Sequence, residues 1–128
     1  MSSQYDIFHN VGFSFKKNKF GFNQEIGLSH KYLEIGQFNW RFQEQFCYDM
    51  PLSKRFAFQN GLSVGLSTQL NNSGFYRLDE NVFFGLHFKG YLGVFLRNYV
   101  GIMHQMKRNT HLFTKVNFAT QIGISYDF

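Results

Sequence analysis

Proline is almost missing from this sequence: Pro51 stands alone among 128 residues. Cysteine is equally scarce. Cys47 has no second thiol to pair with, which excludes an internal disulfide, and no Cys/His spacing resembles a zinc site, so no metal or cofactor is expected. No apolar run approaches the roughly 18–20 residues that a membrane-crossing helix needs. No stretch sustains a 3.6-residue hydrophobic period, so no helix is expected at all. The opening "MSSQYDIFHN" lacks the apolar core of a signal peptide. Two readings stay open on that point: a cytoplasmic protein, or a mature form carrying an added Met1.

What is present is aromatic. There are 18 Phe and 7 Tyr, yet the mean hydropathy is only −0.28, so large apolar residues alternate with distinctly polar ones. Together with 12 glycines this composition favours strands. The length suits one domain, residues 1–128. The formal charge of +5 sits largely in Lys16-Lys17-Asn18-Lys19, Lys54-Arg55 and Lys107-Arg108. Such short clusters mark solvated turns. Without a basic helix or an aromatic platform motif they do not point to nucleic acid.

Period-two alternation runs through the chain, cut by turn signals into seven segments: Tyr5–Lys16, Phe20–Tyr32, Gln37–Met50, Arg55–Leu70, Phe75–Phe88, Tyr91–His104 and Thr110–Phe128. Each has an apolar and a polar face. In the third segment Phe38, Trp40, Phe42, Phe46 and Tyr48 oppose Arg41, Gln43, Gln45, Cys47 and Asp49. Two arguments place the apolar face outside. Roughly forty side chains on that face would overfill a barrel of seven or eight strands. And Gly21, Gly27, Gly61, Gly65, Gly85, Gly93, Gly101 and Gly123 all fall on the polar face. A water-facing strand has no use for glycine, whereas a narrow lumen needs small residues beside its Arg, Gln and Lys.

The pattern resembles the small outer-membrane β-barrels of Gram-negative bacteria, of the OmpA-domain and OmpX type. The closing strand carries the most specific likeness: Ile122, Ile124, Tyr126 and Phe128 alternate up to a terminal phenylalanine. The resemblance implies an all-β, closed, antiparallel, up-and-down transmembrane barrel in the outer membrane, with the signal peptide removed. It also implies a lipid bilayer with lipopolysaccharide as surroundings and transient contact of the terminal strand with the barrel-assembly machinery. Seven strands are counted, but such barrels have an even number, so eight are expected. The eighth either precedes the chain or hides in the long Thr110–Phe128 segment.

Within that frame Glu25, Lys31, Arg41, Gln43, Arg77, Asp79, Arg97 and Lys115 are expected to fill the lumen as a packed polar network, with Glu25 diagonal to Arg41. Tyr32, Trp40, Tyr48 and Tyr76 are expected at the membrane interfaces. Gln24, Glu44 and Asn60 interrupt the apolar face at a similar level if hairpins turn near residues 34 and 52, a polar strip along which copies would meet as a weak homo-oligomer. The role expected is structural, adhesive or surface-interacting, without an open pore. Two alternatives are a barrel-embedded lipid A hydrolase and a soluble barrel carrying an apolar ligand. Against hydrolysis, none of His9, His30, His87, His104 and His111 has a serine two residues on, and the neighbours Ser29 and His30 face opposite ways.

Overall fold

The computed structural model of the protein describes residues 8–29, 40–68, 75–108 and 110–126. They form seven strands and no helix: β1 (Phe8–Lys17), β2 (Phe20–Ser29), β3 (Trp40–Pro51), β4 (Phe56–Thr68), β5 (Phe75–Phe88), β6 (Leu92–Lys107) and β7 (Thr110–Tyr126). Their order in the single sheet is the order of the chain, and every neighbouring pair is antiparallel. Each of the seven expected segments contains one of these strands within a few residues, and the expected ends at Tyr5, Tyr32, Gln37 and Leu70 lie outside the described residues. Thr110–Tyr126 is one strand of 17 residues rather than two. Its length includes a bulge: Gln105 pairs with Phe113 but Met106 with His111, which leaves Leu112 as the extra residue.

The connections β1–β2, β3–β4 and β5–β6 share one end of the sheet with the end of β7; we call this the proximal rim. Asn18 carries φ 57° in the two-residue β1–β2 turn, a left-handed conformation that asparagine tolerates. In the β3–β4 turn the amides of Leu52 and Ser53 donate to the Phe56 carbonyl at 2.9 and 3.2 Å. The Ser53 hydroxyl accepts from the Phe56 amide at 3.1 Å. At the distal end Arg108 also holds a left-handed φ, 55°.

Burial runs opposite to that of a water-soluble sheet. Val11 and Phe13 are 79% and 72% exposed, and Phe118, Ile122 and Ile124 are as open, while Gln45, Ser67 and Asp79 are fully buried. The apolar face is outside and the polar face is wrapped around an interior. Glycine makes the wrap tight. At Gly12, Gly61, Gly85 and Gly101 an added Cβ would strike the backbone carbonyl of the adjoining strand: Gln24, Phe46, Leu96 and Glu80 respectively. At these four positions a side chain would force the two strands apart.

The expectation of a closed barrel meets a difference here. No backbone pairing joins β1 to β7 among the described residues, so the sheet is curled but not closed. With seven strands β1 and β7 run the same way, and the antiparallel ladder used everywhere else cannot form between them.

Candidate functional site

The wrapped interior is where the chemistry-bearing side chains meet. Alternation directs every second residue of each strand inward, and hydrogen bonds then run between strands far apart in sequence. Asn23 on β2 donates to Gln45 on β3 at 3.1 Å, and Gln45 donates in turn to the Tyr99 hydroxyl on β6. Tyr99 donates to Gln121 on β7 at 2.6 Å. Gln121 donates to both carboxylate oxygens of Glu25, back on β2, at 3.2 and 3.0 Å. This circuit crosses the lumen and brings β7 against β2 although no backbone ladder connects them.

Arg97 is the hub. Its guanidinium donates to Gln59 at 3.1 Å and Gln45 at 3.2 Å, and approaches Glu25 at 3.7 Å. The Phe95 ring lies 4.2 Å from it, close enough for a cation–π contact. Lower in the same interior Gln59 donates to Asp49 at 2.9 Å, and Asp49 also receives Lys16 and, at 3.7 Å, Lys89. A second cluster pairs Arg41 with Asp79 at 2.9 Å, with Arg77 at 3.5 Å from the same carboxylate. Cys47, Phe83 and Tyr99 form a small apolar core among these groups. A cavity of about 150 Å³ opens toward the seam between β1 and β7, lined in part by Asn10, Arg41, Gln43, Tyr99 and Gln121.

Of the residues expected in the lumen, Glu25, Arg41, Gln43, Arg77, Asp79 and Arg97 face the interior together. Lys115 does not join them: it is exposed, with its ammonium 5.7 Å from the Phe113 ring. Glu25 is diagonal to Arg41, since it pairs with Gln43 while Arg41 pairs with Gly27. The closest acid to the Arg41 guanidinium is nonetheless Asp79, and Glu25 is drawn to Gln121 and Arg97. Lys31, Tyr32 and Phe128 lie outside the described residues. Ile122, Ile124 and Tyr126 point outward. Trp40 and Tyr76 both pair with Thr68 near the distal end, and Tyr48 stands near the proximal rim opposite Phe20. Uncharged amides carry as much of the network as the charges: Asn23, Gln45 and Gln59 share their inward parity and link Asp49, Arg97 and Tyr99.

The outer polar strip needs correction. Gln24 and Glu44 are direct partners, with Gln24 donating to Glu44 at 3.4 Å. Asn60 is not level with them. It pairs with Tyr48, and Glu44 pairs with Val64, so Asn60 lies four residues nearer the proximal rim. Pro51 pairs with Ala57, which centres the hairpin on residue 54 rather than 52.

One contact escaped the sequence altogether. His87 Nε2 meets the Ser125 hydroxyl at 3.0 Å, from β5 to β7 across the intervening β6. Gly93 on β6 makes room: a Cβ there would sit 2.8 Å from His87 Nε2 and collide with Ser125. His87 Nδ1 has no hydrogen-bond partner among the described residues, so the pair lacks the acid that would orient the imidazole as a general base. Among those residues no group of three or more His, Cys, Asp or Glu is placed to hold a metal ion. Comparison with known proteins finds no matching family model, no similar curated protein and no similar solved structure.

Proposed function

We propose that this chain is an integral outer-membrane β-barrel of Gram-negative type, with a packed polar lumen and a structural, adhesive or surface-interaction role. The observation that carries this reading is the inverted burial: outward Phe, Val, Ile and Leu on all seven strands around an interior of paired Arg, Asp, Glu and Gln. A sheet so arranged has no stable place in water, where the outer face would expose a contiguous apolar surface far above the few hundred Å² that soluble monomers show. In lipid both faces are satisfied, and strands of 10 to 17 residues exceed the roughly 9–11 needed to cross.

Lipid also demands that no backbone group be left unpaired. An eighth strand between β1 and β7, running against both, meets that demand and keeps every ladder antiparallel. It also brings the count to the size at which side chains just fill the lumen. The surroundings are then a bilayer with lipopolysaccharide, and the strand ending at Tyr126 is the segment offered to the assembly machinery. Contact between copies would run through the Gln24–Glu44 pair rather than through Asn60.

The test is solubility and gel mobility. The protein should require detergent, fold there to strand-rich circular dichroism, and migrate at a different position when boiled. A chain that stays monomeric in buffer with no mobility shift would favour a soluble carrier and sink the membrane reading.

A further inference from the structure

The proximal rim has an order of its own. Going around it, three basic turns alternate with three aromatic pairs. Lys17 ends β1 and Lys19 lies in the β1–β2 turn, Lys54 and Arg55 occupy the β3–β4 turn, and Lys89 begins the β5–β6 connection. Between them stand Phe20–Tyr48, Phe56–Phe88 and Tyr91–Tyr126, with ring centroids 5.2, 5.0 and 5.2 Å apart. Phe20–Tyr48 and Phe56–Phe88 each bridge two strands that no proximal turn connects, and Tyr91, the last residue of the β5–β6 connection, reaches Tyr126 on β7.

The charges are one-sided. Lys17, Lys19, Lys54 and Arg55 are exposed. Asp49, the acid of this rim among the described residues, is buried on the inner face and bound by Lys16 and Lys89. Among the described residues the rim has Lys16, Lys17, Lys19, Lys54, Arg55 and Lys89 against Asp49. The aromatic pairs lie on the outer face, continuous with Leu92, Val94 and the rest of the apolar band. The Tyr91 and Tyr126 hydroxyls bond to each other at 3.0 Å in an exposed position. An apolar ring body with a polar tip fits the boundary between hydrocarbon and headgroups. Ammonium and guanidinium groups just beyond it fit phosphate.

Resting on the barrel reading above, we propose that the proximal rim is a docking surface for the anionic headgroups of a phospholipid leaflet, with phosphate as the recognised group. The continuity of the rings with the lipid-facing band selects a bilayer over a soluble polyanion, which would need the rings turned to water. Each exposed cation near a charged leaflet should strengthen binding by about fivefold, an effect that salt screens within about 8–10 Å.

The experiment uses the protein folded in zwitterionic detergent, titrated with phosphatidylglycerol or phosphatidylcholine, with bound lipid counted by native mass spectrometry at low and high salt. Phosphatidylglycerol should bind preferentially, and salt should weaken it. The Lys17→Gln/Lys19→Gln/Lys54→Gln/Arg55→Gln variant should lose at least about tenfold of that preference. A Lys107→Gln/Arg108→Gln variant, altered at the distal end, should keep it. If the fourfold variant does not fold, Lys54→Gln/Arg55→Gln alone, confined to a turn, should still lower the preference several-fold. Equal binding of the two lipids, or a preference untouched by the rim variants, would overturn the proposal. Failure of the unmodified protein to give a heat-shifted species in detergent would instead overturn the barrel reading on which it rests.

Discussion

At the scale of single residues, glycine matters more than its lack of a side chain suggests. Gly85 lies where a Cβ would press on the Leu96 carbonyl and the Arg97 backbone. Backbone cannot step aside as a side-chain tip can, so Gly85→Ala should destabilise by about 1–3 kcal/mol through overpacking. Gly21 has the same inward parity, but its nearest neighbours would be 3.5 Å or more from a Cβ. Gly21→Ala should therefore leave stability within about 0.5 kcal/mol. Urea midpoints of the two variants in the same lipid or detergent check the contrast; equal effects would show that these glycines do not set the curvature. His87 and Ser125 give the complementary lesson. Their meeting depends on a gap at Gly93, two residues that are neighbours of neither in sequence being brought together by the ladder. No local spacing announces it.

At the scale of strands, period-two alternation made the seven elements legible, because one face is almost wholly apolar. β5 matches its expected bounds, Phe75–Phe88, and β7 starts where expected at Thr110. Register was harder to read. It depends on how many residues each turn consumes, and the four-residue β3–β4 turn, held by Ser53, shifts the pairing enough to separate Asn60 from Glu44. The bulge at Leu112 was likewise invisible, since one extra residue near a strand end barely disturbs the pattern. Strand position also fixes a prediction. β3 to β6 are paired on both sides, while β1 and β7 each have one unpaired edge within this sheet. Hydrogen exchange in detergent reads this seam: were the edges open, about half of the β1 and β7 amides would exchange well ahead of those in β2–β6, because alternate N–H groups on an edge strand face away from the ladder, whereas the eighth strand proposed above should protect them equally. Uniform protection across all seven would mean that β1 and β7 already pair with something in this chain.

At the scale of the whole molecule, the lumen decides between a pore and a plug. The network spans β2, β3, β4, β6 and β7 and has Arg97 at its centre, wedged beside Phe95 with Phe83 beyond. Removing Arg97 would leave Glu25 and the Gln45–Gln59 amides short of a donor inside the curled sheet. Arg97→Met should cost about 3 kcal/mol, the size expected for breaking one partner out of a buried pair. It should still open no channel, because Phe83, Phe95 and Tyr99 continue to fill the interior. Planar-bilayer recordings of both proteins, beside their unfolding midpoints, test this. A large steady conductance in the unmodified protein would refute the plugged lumen.

The inside-out burial has a consequence for how the sequence can change. An outward position on β4 or β7 has only to be apolar, so Leu, Val, Ile and Phe are nearly interchangeable there when lipid is the neighbour. An inward position must reach one particular acceptor or leave one particular gap. The constraint that specifies this fold is therefore concentrated in every second residue. A library that randomises Leu62, Val64, Leu66, Ile122 and Ile124 among apolar residues would retain folded members in abundance. One that randomises Gln45, Gln59, Arg97 and Gln121 would retain few, although these are the residues a reader searching for a hydrophobic core would pass over.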